Sequence, residues 1–469
     1  MSSHLRVERL EETCRPFRWL KEYNDRPYPA LLESAQHDTP LGRYSILCWD
    51  PWKKLTCRDG AVEVEETHTA QREVLGGDPF SILSEQFQPQ RLDAPSGFDL
   101  PFAGGAVGFF SYDLRHRVER LPRWCDYDVD IPEFVLCFYD RGLVFDHGAD
   151  ITWYVGPRDS EPPRPDLPSG ACDSALPGVE RVDLRSNFTP DQYRAGVQKV
   201  KDYIGAGDIF QANLSQRFSA RAGADGLTLY ERLRAINPAP FAAYLRYPGF
   251  EIISSSPERF LEVEDDLVVT RPIKGTRPRR EGDATYNRRM RKELLASEKD
   301  HAELAMIVDL ERNDLGRVCR YGSVRVSEHA VLETYPTVYH LVSTVRGRLF
   351  RQNHDEFDLI RATFPGGSIT GAPKIRAMEI IEELEPQARS VYTGSIGYIS
   401  FHGRMDLNIV IRTIVRAAGR LYIQVGGGIV ADSDPEMEYQ ETLSKGRALF
   451  EAVGARNCTE PMGASRHEG

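Results

Sequence analysis

The stretch TRPIKGTRPRR, residues 270–280, sets one lysine, Lys274, among four arginines. Crowding by cations favours the neutral amine, and a neutral amine is a nucleophile; a spare solvent-facing cation would explain the residue without any chemistry. Glu258, in SSSPERFLEV, follows a strand-like run and a proline, where partial desolvation would raise its pKa toward that of a general acid. Two acidic segments complete the set. In SEKDHAELAMIVDLERNDLG, Asp300 and Glu303 stand three apart and project from one helical face, and in DSDPEMEYQETLSKGRALF, Glu438 and Glu441 repeat that spacing. The helix dipole alone accounts for acids in either first turn. Four carboxylates facing each other across a cleft would instead call for a hard cation such as Mg²⁺, held by one or two direct ligands and several waters.

Other polar residues stand in apolar surroundings. Arg412 interrupts the strand-like run DLNIVIRTIVRAA, and if its side chain points inward it needs a carboxylate partner from protein or ligand. His340, in YHLVSTV, reads by default as a core histidine with its hydrogen bonds satisfied. Two glycine-rich stretches, FPGGSITGAPK and QVGGGIVADSDP, read as turns; the first delivers a helix N-terminus suited to an anion, and the second lets backbone N–H groups approach a ligand. The first is no nucleotide loop, because Ala372 stands where that motif has lysine.

The elements that must carry these residues follow from pattern. Residues 156–180 are rich in proline, serine and glycine and read as a surface linker. The linker (taken as 156–187) separates residues 1–155, mostly short strand-like runs, from 188–456; residues 457–469 read as a disordered tail. The second part opens on a helix with Thr189 as N-cap, Pro190 in the first turn and Gln192 closing a capping box, with Tyr193, Val197, Val200 and Ile204 on one face and Gly205 ending it. Strand-like runs and helices near 297–312, 373–384 and 435–453 come in groups, which predicts an α+β fold with antiparallel sheets faced by helices.

The segments SSSPERF, RPIKGTRPR, KDHAELAMIVDLERNDLGR, YHLVSTVRG, FPGGSITGAPKIRAMEIIEELEP, GSIGYISF, IRTIV and GGGIVADSDPEMEYQETLSKGRAL together resemble the chorismate-utilising enzymes, in the family's order, over residues 189–455. LLESAQ, GRYSILCWDP and FAGGAVGFFSYDL carry a looser resemblance through the first 155 residues. The resemblance implies two large antiparallel sheets packed face to face with helices outside, and an N-terminal region intertwined with the catalytic part. It implies chorismate bound through Mg²⁺, with Glu303 and Glu441 as the nearest metal ligands and Asp300 and Glu438 acting directly or through water. The ring carboxylate would meet the metal and the backbone at Gly275 and Thr276. The enolpyruvyl carboxylate would meet Tyr392, Arg412, the backbone of Gly426, Gly427 and Gly428, and Lys445. His340 matches the family's active-site histidine.

Within the family, members that make anthranilate resemble this chain but carry alanine at the position of Lys274, whereas the aminodeoxychorismate-forming branch carries lysine. Hydrolytic members have a water-activating lysine at the position of Gln211, and a neutral amide cannot take that role. The resemblance therefore implies amination of chorismate at C4, with Glu258 as general acid and Lys274 as nucleophile at C2; anthranilate synthesis and an inert binding subunit are the rival readings. The chain carries no glutaminase nucleophile motif, so ammonia is expected from a separate glutamine amidotransferase subunit. LLES and NPAPF resemble the two halves of the family's tryptophan-binding motif, which implies a tryptophan around Ser34, Arg43, Tyr44, Pro240 and Phe241; ordinary packing between the two parts would explain the same residues.

Composition bounds these readings. The 469 residues are 41% hydrophobic and 28% charged, which marks a globular chain of two to three domains' length. A net charge of -11 argues against a dedicated nucleic-acid binder, while local basic clusters leave small anionic substrates open. Eight cysteines form no CxxC pair and read as reduced thiols. No signal-peptide core and no apolar run of membrane-spanning length stand out, so a cytoplasmic protein without membrane contact is expected.

Overall fold

The computed structural model describes residues 5–11, 15–36, 41–95, 97–164, 176–335, 338–456 and 460–461. Strands assemble into two sheets, one of thirteen strands and one of twelve, and their inner faces pack together. Ile46, Val144, Leu245 and Ile252 of the larger sheet share one core with Val107, Phe109, Val135 and Ile396 of the smaller. Nearly all pairing is antiparallel, as the grouping of the strand-like runs predicted; one exception is the short parallel contact of Arg185–Ser186 with Glu460–Pro461. Apart from those two residues, the tail read as disordered lies outside the described residues, as do 165–175 of the linker.

Both sheets contain strands from both halves of the chain. Ala30–Glu33 pairs with Phe241–Tyr247 in the larger sheet, and Gly105–Phe110 pairs with Ser395–Ser400 in the smaller. Gln211–Arg221 is buried at every position but its last: Ala212, Leu214, Phe218 and Ala220 face the helices, and the alternating polar face meets Glu385, Arg389 and Asp128. Among the described residues no helix is long and apolar enough to cross a membrane, and Cys48, Cys57, Cys125, Cys137 and Cys319 are buried and free.

The helices begin where their caps predict. Thr189 and Gln192 form the capping box of Pro190–Ala206, and Ser297 accepts the Asp300 N–H at the start of Glu298–Gly316. The first of these runs past Gly205: the left-handed residue that ends it is Gly207, at φ 85°. A larger correction concerns DLNIVIRTIVRAA, read as one strand. Met405–Asn408 belongs to the twelve-stranded sheet and Thr413–Ala417 to the thirteen-stranded one, so residues 409–412 carry the chain across, with Arg412 at φ 53°. A second crossover separates Phe250–Ser256 from Arg259–Glu264 and contains Glu258. The Ile409 N–H donates to the Glu258 carbonyl at 3.0 Å, and Ser255 N–H to the Arg412 carbonyl at 3.0 Å, so the crossovers are tied together.

Candidate active site

A cavity of about 450 Å³ opens beside the two crossovers. It is lined by Glu258, Lys274, Gly275, Thr276, Asp300, Glu303, His340, Tyr392, Arg412, Gly426, Gly428, Glu438, Glu441 and Lys445. Gly427 is outside that lining, but a Cβ there would lie 3.2 Å from Glu438 Oε2 and 3.7 Å from both Glu441 Oε1 and Lys445 Nζ. The three glycines are not the loop expected from their sequence. They belong to the strand Arg420–Ile429 and pair with Asn213, Leu214 and Ser215. Their small size admits neighbours: a Cβ on Gly428 would fall 2.2 Å from Gln211 Nε2.

Lys274 lies on the strand Ile273–Pro278, just before a bulge at Gly275, where φ is 74°. A Cβ on Gly275 would stand 2.9 Å from Asp300 Cγ, so a side chain here would both strain the backbone and push that carboxylate away. The arginines adjacent in sequence do not crowd Lys274, contrary to the expectation. Arg271 pairs with Glu333, Arg277 with Asp300 at 3.1 Å, Arg279 donates to the Tyr335 carbonyl, and Arg280 lies over the Tyr286 ring. Arg271, Arg279 and Arg280 are held away from the cavity by these partners, whereas Arg277 lines it and is neutralised by Asp300; the positive charge of Lys274 acts on Glu258, Glu303 and Glu441. Its Nζ donates to the Ser368 carbonyl at 3.0 Å.

Glu258 is 6% exposed, and burial holds its carboxyl above the ordinary value against the opposing pull of Ser368, Lys274, the Ile273 N–H and Lys445. Ser368 thus touches both Glu258, through its side chain, and Lys274, through its carbonyl. The sequence reading passed over Ser368, although its place directly after the paired glycines of FPGGS was the available signal. It also missed Asn213, which lines the cavity together with Tyr392, because the polar face of an alternating strand reads as solvent-facing.

His340 faces the same cavity instead of the core. Its Nδ1 lies 2.9 Å from Thr276 Oγ1, and burial pushes its pKa down to about 4, with the Arg412 charge adding to the effect and the Gly275 backbone opposing it. The ring is therefore neutral at physiological pH. Since the folded value lies below the unfolded one of 6.5, the His340 contribution to stability is complete above about pH 6.5 and is lost as pH falls toward 4. An NMR titration should place the imidazole midpoint near 4; a midpoint above 6 would contradict this environment.

The four carboxylates come from two helices. Asp300 and Glu303 are in the first two turns of Glu298–Gly316, and Glu438 and Glu441 in those of Pro435–Ala452. Burial and mutual repulsion hold Glu303 and Glu438 above the ordinary carboxylate range, whereas Lys445, 2.7 Å from Glu441, draws that group down. Among the described residues no three acidic groups form a ready-made metal cage. A protein cation takes the bridging position: Lys299 Nζ is 3.9 Å from Glu303 and 3.7 Å from Glu438. Oxygen donors that repel one another and gather round a cation fit a hard divalent ion that needs only one or two direct protein ligands. Arg412 donates to the Lys445 carbonyl and forms no ion pair among the described residues, so its charge is available to an anion in the cavity.

Glu311 lies deeper on the Glu298–Gly316 helix. It is 9% exposed, accepts a hydrogen bond from Thr270 Oγ1 at 3.1 Å, and is held well above the ordinary value by burial and then by Glu258. Since the folded value lies above the unfolded one of 4.5, the Glu311 contribution to stability is complete below about pH 4.5 and is lost as pH rises toward the folded value. Glu311→Gln should stabilise the protein by about 1–3 kcal/mol at pH 8 and change little at pH 4, measured by urea unfolding. Equal effects at both pH values would contradict a raised Glu311 pKa.

A second cavity, about 430 Å³, is lined by Ser34, Arg43, Tyr44, Pro240 and Phe241. Ser34 Oγ donates to the Pro240 carbonyl at 2.9 Å, and the Arg43 guanidinium lies 4.6 Å from the Tyr44 ring centre.

A paired-sheet frame thus carries one cavity lined by a buried carboxyl at a crossover, a lysine amine and carboxylates from two helices. Residues 29–451 match the family of chorismate binding enzymes, and the chain belongs to that family. It is 44% identical over 422 residues to aminodeoxychorismate synthase component 1 of Salmonella typhimurium, covering 90% of this chain and 92% of that one. It is also 44% identical over 399 residues to an anthranilate synthase component 1 of Haloarcula marismortui, covering 80% and 81%. The crystal structure of anthranilate synthase component I from Streptococcus pneumoniae superposes with a TM-score of 0.75 at 32% identity, covering 89% of this chain and 93% of that chain. The menaquinone-specific isochorismate synthase of Escherichia coli shares the fold, with a TM-score of 0.70 at 16% identity over 96% and 94%.

Proposed function

We propose that this enzyme aminates chorismate at C4, giving 4-amino-4-deoxychorismate, the precursor of 4-aminobenzoate and folate. Relatives of equal identity carry two different names, so identity alone does not choose the product. The observation that carries the reading is the Lys274 amine in the cavity wall, joined through Ser368 to the buried acid Glu258.

Chorismate's C4 hydroxyl leaves poorly unless protonated, and Glu258 supplies that proton. Lys274, after giving its ammonium proton to solvent, bonds to C2 while the ring double bond shifts and the C4–O bond breaks, releasing water. Ammonia then bonds to C4, the double bond shifts back, and the C2–N bond to Lys274 breaks. The new ammonium gives up a proton, which restores the acid form of Glu258. Arg412, Tyr392 and Lys445 hold the enolpyruvyl carboxylate, and neutral His340 orients the Thr276 end of the site. Glu303 and Glu441, with Asp300 and Glu438 directly or through water, would hold Mg²⁺. When bound, Mg²⁺ offsets the charge of the ring carboxylate and helps orient the ring.

Ammonia is supplied by a separate glutamine amidotransferase subunit, a reading supported by the component 1 designation of the relatives. With chorismate and Mg²⁺, the isolated chain should turn over with ammonium and use glutamine only after the partner is added. Glutamine-dependent turnover by the single chain would refute the division. C4 amination retains the enolpyruvyl group, so no pyruvate should accumulate; one pyruvate per chorismate would establish anthranilate synthesis instead. The second cavity supports a bound tryptophan at Ser34, Arg43, Tyr44, Pro240 and Phe241, held as a structural ligand.

A further inference from the structure

Behind the Tyr392 end of the cavity lies an ion pair to which the reading above gives no task. Arg389 and Glu385 meet at 2.7 Å, and each side chain is 1% exposed. The remaining Arg389 N–H groups reach the cavity wall: Nη1 donates to the Ile369 carbonyl at 3.1 Å and to Thr393 Oγ1 at 3.3 Å, and Nη2 to the Asn213 carbonyl at 2.5 Å. Asn213, Ile369 and Tyr392 all line the cavity.

The segment that presents Tyr392 is strained. Ser390 and Thr393 have φ of 52° and 61°, a left-handed backbone that a β-branched threonine rarely adopts. Such residues persist where their surroundings over-determine them. Here Ser390 N–H donates to Asp113 Oδ2 at 3.1 Å, its carbonyl accepts from Ser111 Oγ at 2.7 Å, and Thr393 N–H donates to the Val410 carbonyl at 2.7 Å. Arg389 joins this turn to the walls at Asn213 and Ile369. Desolvation offsets much of the attraction in a buried ion pair, so its main contribution is geometry.

We propose that Arg389, oriented by Glu385, is a positioning residue that fixes the Tyr392 turn against Asn213 and Ile369 and so shapes the carboxylate-binding wall of the cavity. This rests on the reading that a carboxylate of chorismate meets Tyr392. A lysine cannot reproduce the planar fork that reaches three acceptors. Arg389→Lys should raise KM for chorismate about tenfold and leave kcat within threefold. Thr393→Gly, which tolerates the left-handed backbone but loses the hydroxyl, should raise KM about threefold in a protein that still folds.

Arg115–Glu382 provides a control, since its side chains are 1% and 0% exposed and its arginine meets Glu382 and the Tyr112 ring, which Arg389 also approaches at 4.8 Å, but makes no hydrogen bond to the cavity wall among the described residues. Arg115→Lys should lower Tm about as much as Arg389→Lys while leaving KM within twofold. Equal KM effects in the two lysine variants, a loss confined to kcat, or an unchanged KM in Thr393→Gly would overturn the proposal. If Arg389→Lys fails to fold, Thr393→Gly decides. All rates are followed as chorismate consumption. A wild-type protein that consumes none would overturn the functional reading and this inference with it, whereas unaffected variants of an active wild type would overturn this inference alone.

Discussion

Lys274→Ala is expected to abolish C4 amination, with a fall in kcat of about a thousandfold or more, as for removal of an enzymic nucleophile. The side chain lies in the cavity wall with its Nζ on the Ser368 carbonyl, and its charge acts on Glu258, Glu303 and Glu441. Loss of that charge would raise the Glu258 pKa further, so the general acid survives the substitution, while Glu303 and Glu441 lose the same cationic neighbour. Lys274→Arg separates the two roles a lysine can play. It keeps the positive charge but offers no free amine at accessible pH, so it should be as inactive as the alanine variant. Arginine-level activity near wild type would show that charge suffices and would remove the covalent step. Mass spectrometry of wild-type enzyme held with chorismate in the absence of ammonia should reveal a lysine adduct.

Glu258→Gln is expected to cost about 10²–10⁴ in kcat, because the amide cannot donate a proton to departing hydroxide. Chorismate binding should change little, since glutamine keeps the size and polarity of the acid it replaces. The wild-type pH profile carries the sign of this role. The acid form is required, so kcat should fall as pH rises through the elevated Glu258 value, and the glutamine variant should lose that limb. An activity that rises across the same window would assign Glu258 to base catalysis.

The sequence revealed the parts of this site better than their supports. Acid spacing at Asp300, Glu303, Glu438 and Glu441 identified two helix starts, because capping and dipole preferences are local. The α+β class and the antiparallel pairing were legible from grouped strand-like runs. What was lost depended on tertiary context. DLNIVIRTIVRAA has uniform strand propensity, and only the opposing sheets reveal that the chain changes layers at Arg412. The glycines 426, 427 and 428 look like a loop in isolation, whereas their neighbours Gln211 and Ser215 require them to be small within a strand. The four arginines near Lys274 suggested a cationic crowd, yet three have partners outside the cavity and Arg277 is paired with Asp300 within it, so acids distant in sequence offset the local positive charge.

The central claim is where nitrogen bonds to the ring. Incubating the protein with chorismate, Mg²⁺ and ¹⁵N-ammonium and reading the product by NMR tests it most directly. The label should appear on C4 of a ring that still bears its enolpyruvyl ether. Label at C2 of an aromatic ring, with free pyruvate, would contradict the account, and unchanged chorismate would leave the chain as an inert binding subunit.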